Sequence, residues 1–110
     1  MITTHVLDTS RGLPGRDIAI ELAHQQGSTW IAVGAGRTDA DGRLRTLTPA
    51  GTLEIGIYRL RFHTAAYFAA TKTATFFPLV EIHFDVHDAA AHFHVPLLIS
   101  PFGYSTYRGS

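Results

Sequence analysis

Two histidines and one arginine, His5, His94 and Arg43, are the residues of this 110-residue chain whose types best suit hydrolytic chemistry. A neutral imidazole can take a proton from water, and a second can orient that water or protonate a leaving nitrogen. A guanidinium can hold a carbonyl oxygen or an anion through paired donors. Together they would serve to hydrolyse a cyclic amide or a related carbonyl compound, with either His5 or His94 as the base. The last nineteen residues, His92 to Ser110, add to this set. Chain ends usually fray. This one places a phenol, a cation, a small flexible residue and a hydroxyl, Tyr107, Arg108, Gly109 and Ser110, beside the terminal carboxylate.

Other residues invite chemistry and have plainer readings. The chain has seven histidines and no cysteine. Histidine titrates near neutrality and binds metals. His92 and His94, two apart on a strand, project to one face, and His83 could approach them across strands to hold zinc. No HExxH or comparable spacing supplies a fixed further ligand, so no metal site is assigned and His92 reads as solvent-facing or as a support to His94. Gly34-Ala35-Gly36 has no helix after it, which excludes a phosphate loop and leaves strand-end and turn chemistry. Arg59 and Arg61 read as solvated residues on an outward strand face. Tyr67 and Phe68 read as the core contact of a helix.

The elements that must position these residues are short. Alternation of apolar and polar residues marks strands over Thr3 to Leu7, Asp17 to His24, Thr29 to Gly34, Glu54 to His63, Leu79 to Val86 and His92 to Ile99. Shorter strands are expected through Leu44 to Leu47 and Tyr104 to Tyr107. Residues 8–15 read as turn material. Asp41-Gly42 is a strong turn dipeptide, because glycine accepts a positive φ without steric cost, and it launches Arg43 from a fixed position. Thr64 to Ala70 lacks the alternation, is rich in alanine, and reads as the one helix, about two turns long. Seven or eight strands with regular turns and one short helix predict an all-β, two-sheet antiparallel sandwich occupying residues 1–110 as a single domain.

Composition narrows the partners. Formal net charge is zero with histidine neutral, so no electrostatic pull toward nucleic acid or an anionic membrane is expected. The N-terminus carries no signal-peptide pattern, and no apolar run reaches the roughly 20 residues of a membrane helix. A cytoplasmic protein is the default expectation. A free edge at the short last strand could pair with its copy in another subunit.

Three motifs in order carry a resemblance to a known family. Thr4-His5-Val6-Leu7-Asp8 with Gly12 and Pro14, the Asp41-Gly42-Arg43 turn, and His92-Phe-His-Val-Pro-Leu-Leu-Ile-Ser-Pro-Phe-Gly-Tyr104 with Tyr107-Arg-Gly-Ser110 resemble the transthyretin-related 5-hydroxyisourate hydrolases. The resemblance spans the whole chain. It implies a transthyretin-like sandwich and a purine-degradation enzyme that opens the six-membered ring of 5-hydroxyisourate by amide hydrolysis, giving 2-oxo-4-hydroxy-4-carboxy-5-ureidoimidazoline. It implies catalytic roles for His5, Arg43, His94 and Ser110, substrate binding by Tyr107, Arg108 and Gly109, no metal or organic cofactor, and a homotetramer built as a dimer of dimers. One departure is Gly15-Arg16, where the family commonly has a small alanine after the proline. The transthyretins share the fold and lack the terminal Tyr-Arg-Gly-Ser, so a small-molecule carrier without catalysis is the alternative.

Overall fold

The computed structural model describes residues 1–51 and 53–110. Strand β1 (Ile2–Asp8) alternates as its sequence requires: Ile2, Thr4, Val6 and Asp8 are buried, while Thr3, His5 and Leu7 take the other face. Next come β2 (Leu13–Pro14), β3 (Ala19–Gln26), β4 (Thr29–Arg37), β5 (Arg43–Leu44) and β6 (Gly56–Phe62). After helix α1 (Thr64–Ala70) come β7 (Val80–Val86), β8 (Phe93–Ser100) and β9 (Gly103–Thr106). One sheet has the order β4-β3-β6-β7, and the other β2-β1-β8-β9 with β5 also paired to β1.

The core lies between the sheets. Ile20, Leu22, Tyr58, Leu60, Phe62, Val80 and Val86 from one sheet meet Ile2, Val6, Phe93, Leu97 and Ile99 from the other. Removing such side chains from water contributes about 1.5–3 kcal/mol each before the entropy cost of ordering them. No helix among the described residues is long and apolar enough to cross a membrane.

The expected all-β transthyretin-like sandwich is present, with one helix among the described residues and one difference in pairing. β1 runs parallel to β8 over seven residue pairs, Ile2–Phe93 through Asp8–Ile99. A parallel pair needs a crossover connection. Here the entire second sheet supplies it. The pairs within the β4-β3-β6-β7 sheet, and those of β1 with β2 and β5 and of β8 with β9, are antiparallel.

Three local readings are corrected. Residues 8–15 are not all turn, since Asp8 ends β1 and Leu13–Pro14 pair with it. Gly34 and Gly36 lie inside β4, where a Cβ on Gly34 would sit 1.8 Å from the Leu47 carbonyl oxygen, so glycine there permits a close backbone approach. Arg59 is not solvated: its guanidinium lies 4.5 Å over the Trp30 ring, and its side chain is only 16% exposed. Both Arg59 and Arg61 face Glu81 on β7, at 3.6 and 2.7 Å.

Helix α1 buries Thr64, Tyr67 and Phe68. The Tyr67 hydroxyl donates to Asp8 Oδ2 at 2.7 Å, and the Ser10 hydroxyl and amide donate to Oδ1. Burial alone would raise the Asp8 pKa, but these hydrogen bonds and that of the Arg11 amide outweigh it and hold the carboxylate below its usual 3.8. Its stabilising contribution is present at neutral pH and is lost as pH falls through that depressed value. Tyr67→Phe should therefore cost about 1–3 kcal/mol at pH 7, the penalty for a buried acceptor stripped of a donor. Urea unfolding at pH 7 and pH 3 checks this. The deficit should shrink at the lower pH as Asp8 begins to protonate, and a deficit that stayed constant until the acid transition itself would mean that the hydroxyl supports packing rather than the carboxylate.

Candidate active site

The outer face of the β1-containing sheet gathers the polar residues. The parallel register makes Thr3 the Cα partner of His94 and His5 the partner of Pro96, while on the other edge of β1 His5 pairs with Arg43 of β5. Period two then puts Thr3 and His5 on one face.

Arg43 is positioned by a turn that Asp39 closes. Asp39 Oδ1 accepts the amides of Asp41 and Arg43, both at 2.9 Å, and the Gly42 amide donates to the Asp39 carbonyl. The Arg43 amide foremost, then that of Asp41 and the charges of Arg45 and Arg43, hold the Asp39 carboxyl below its usual value against the opposing effect of desolvation. Gly42 adopts φ 78°, and a Cβ there would lie 2.4 Å from the Val6 carbonyl oxygen, so the turn requires glycine. The Gly42 carbonyl accepts from the Val6 amide at 2.8 Å, tying the turn to β1. His5 Nε2 lies 2.9 Å from the Asp41 carbonyl oxygen. A carbonyl oxygen only accepts, so neutral His5 carries its proton on Nε2 and leaves Nδ1 bare.

A pocket of about 170 Å³ opens beside this turn, with Thr3, Arg43, Arg45, His92, His94 and Ser110 in its wall. Thr3 Oγ1 lies 2.8 Å from both His92 Nε2 and His94 Nδ1. Burial pushes the His94 pKa below the ordinary 6.5, and the charges of His92, Arg43, His5 and Arg45 push the same way. His94 is thus biased toward the neutral imidazole that base chemistry needs.

The tail folds back over this pocket and divides its residues. The Gly109 amide donates to the His94 carbonyl at 2.8 Å, which brings Ser110 into the wall. Arg108 turns away and stacks 4.6 Å over the Phe93 ring. It lines, with Tyr107, a separate and more apolar pocket of about 320 Å³ that includes Ile82, Phe84 and Val95.

Of the residues singled out from sequence, the fold brings Arg43, His94 and Ser110 into one pocket, sets His5 beside Arg43, and lays Gly109 on His94. Tyr107 and Arg108 are in the other pocket. His83 cannot join His92 and His94, because it sits on β7 of the other sheet, with its ring 5.3 Å from that of Trp30. Among the described residues no group of three or more His, Asp or Glu side chains is arranged to hold a metal ion. Sequence reasoning missed Thr3 and Arg45 as wall residues, and of its two readings of His92 the support to His94 is the one that fits the wall position. Both carried a signal: Thr3 is two residues before His5, and Arg45 two after Arg43.

Fold and pocket together define the class: a transthyretin-like sandwich whose polar pocket is furnished with imidazole and guanidinium groups. The chain belongs to the HIUase/Transthyretin family, whose model matches residues 2–109. It is 44% identical over 109 residues to a probable 5-hydroxyisourate hydrolase of Caenorhabditis elegans, covering 99% of this chain and 81% of that protein. Among solved structures it resembles the 5-hydroxyisourate hydrolase of Klebsiella pneumoniae, with a TM-score of 0.86, 36% identity, and coverage of 99% and 98%. It also resembles sea bream transthyretin in complex with thyroxine, with a TM-score of 0.92, 29% identity, and coverage of 98% and 93%.

Proposed function

We propose that this chain is a 5-hydroxyisourate hydrolase acting in urate degradation. The observation that carries the reading is the convergence of His94, Arg43 and Ser110 on one pocket, with His5 beside Arg43, in a chain matching the family along its length. His94 is the general base: it lines the pocket and is biased toward its neutral form. It takes a proton from water as the water oxygen bonds to the ring carbonyl carbon. Arg43 neutralises the developing oxyanion. The carbon–nitrogen bond then breaks, the proton passes from the imidazolium to the leaving nitrogen, and the carboxylic acid so formed releases its remaining proton to solvent, leaving a carboxylate near Arg43 and Arg45. His5, held by the Asp41 carbonyl, orients the substrate beside Arg43, and Ser110 closes the wall. Every step draws on the chain's own side chains, without a metal or organic cofactor.

The same reading takes residues 1–110 as one cytoplasmic domain that assembles as a homotetramer, a dimer of dimers. Support comes from the edge positions of β7 and β9 and from the exposed aromatic side chains Phe76, Phe102, Tyr104 and Tyr107 near them. The likeness to a thyroxine-bound transthyretin favours one rival, a carrier without catalysis. The test is to generate 5-hydroxyisourate in place with urate oxidase and follow its decay with and without the protein. Faster decay supports the hydrolase. An unchanged decay with saturable binding of an apolar aromatic ligand supports the carrier.

A further inference from the structure

Thr3 stands between two imidazoles and is only 4% exposed. Its Oγ1 is 2.8 Å from His92 Nε2 and 2.8 Å from His94 Nδ1. A hydroxyl has one proton to donate and two lone pairs. Between two neutral rings it donates to one facing nitrogen and accepts from the other, so the tautomers of His92 and His94 are coupled: when one facing nitrogen is bare the other is protonated. If the hydroxyl proton goes to His92 Nε2, His94 carries its own proton on Nδ1 and its Nε2 is bare. If the proton goes to His94 Nδ1, His94 carries its proton on Nε2, and that nitrogen cannot act as a base.

The pocket selects between the two states. Arg43 and Arg45, in the same wall as His94, offer only donors. A bare ring nitrogen on His94 complements them, whereas another N–H would add a donor to a site already rich in donors. The arrangement is also held by backbone. Thr3 is the register partner of His94 in a parallel pair seven residues long, and its short side chain has few rotamers. The hydroxyl is therefore placed by the sheet itself.

We propose that Thr3 is a positioning residue that holds His94 as the Nδ1–H tautomer by donating its own hydroxyl proton to His92 Nε2. The proposal rests on the reading of this pocket as a hydrolase site and assigns a function to the two residues, Thr3 and His92, that the mechanism above leaves idle. When His94 Nε2 accepts the proton of water, the imidazolium still donates Nδ1–H to Oγ1. No hydrogen bond needs to break during the step, and the ring stays aimed. The proton then leaves from Nε2 to the departing nitrogen and restores the starting state.

The test pairs nitrogen-15 NMR of the imidazole rings with steady-state kinetics on the wild type, Thr3→Val and Thr3→Ser. In the wild type, both His94 and His92 should carry their proton on Nδ1. Thr3→Val keeps the shape and removes the hydroxyl. His94 should then shift toward the Nε2–H tautomer, and kcat should fall by about 10–100-fold, as for other orienting partners of histidine, with KM little changed. Thr3→Ser should restore both the tautomer and most of the rate. Circular dichroism confirms folding, and Thr3→Ser carries the comparison if the valine variant does not fold. A wild-type His94 with its proton on Nε2 would overturn the proposal. So would a folded Thr3→Val with unchanged tautomer and kcat. If the wild type fails to hasten the decay of 5-hydroxyisourate, the hydrolase reading falls, while the ring tautomers still report on Thr3 independently.

Discussion

His94→Ala should lower kcat/KM for 5-hydroxyisourate by about 10³-fold, within the 10²–10⁴ that a positioned general base contributes. The loss should appear mainly in kcat, since the imidazole acts when the proton moves. Arg43 and Ser110 remain in the wall to bind substrate. The same assay on His5→Ala separates the two histidines. His5 is tied through Nε2 to the Asp41 carbonyl beside Arg43, so its loss should raise KM as well as lower kcat. A His94→Ala protein with more than a tenth of wild-type activity would remove His94 from the base role. The pH profile gives a second check. Burial and neighbouring positive charge hold the His94 pKa below 6.5. The acid limb of kcat/KM should therefore fall below pH 6.5, with full activity retained at neutrality. The same shift has a stability sign. The unfolded chain binds this proton more readily than the folded one, so stability declines as pH falls from 6.5 to the depressed value, then levels off. An acid limb centred above 6.5 would contradict the environment described for His94.

Gly109→Ala should also cut kcat/KM, by about 10–100-fold, while changing unfolding free energy by less than about 1 kcal/mol. A Cβ at this position would lie 2.6 Å from His94 Cδ2 and 3.2 Å from Pro96 Cγ. Either the His94 ring or the tail must move. The ring is held by Thr3, and the tail by the Gly109 amide on the His94 carbonyl and by the Arg108 stack on Phe93. The tail gives way more readily, which withdraws Ser110 from the pocket wall. Deleting Ser110 should reproduce the kinetic loss without the steric push. Enzyme assays and thermal melts on both variants decide the matter. Wild-type turnover in either would mean that the terminus covers the pocket without serving it.

Much of the fold was legible because period-two patterning reports directly which face a side chain takes. Ile18, Ile20 and Leu22, then Tyr58, Leu60 and Phe62, are the alternating apolar residues of their segments and are buried. The helix is found at Thr64–Ala70, where an alanine-rich run breaks the alternation. Asp41-Gly42 forms the expected turn because the φ of 78° at Gly42 needs glycine. Arg59 was misread because patterning places a residue on the outer face without saying what else lies there. Trp30, brought across from β4, covers it.

The candidate site divides along the same line. Residue types and local turns, His5, Arg43, His94 and the terminal Tyr107 to Ser110, are properties of the sequence itself, and they suffice to suggest the chemistry. The tail that ends in Ser110 was conspicuous from the sequence, but its division between two pockets was not. Only the tertiary structure joins β1 to β8 in parallel, and that pairing sets Thr3 beside His94. Only it folds Gly109 onto His94 and sends Arg108 to Phe93. The physical reason is that side-chain periodicity is a local property of one strand. The choice and direction of a partner some ninety residues away depend on how both sheets bury their apolar faces together.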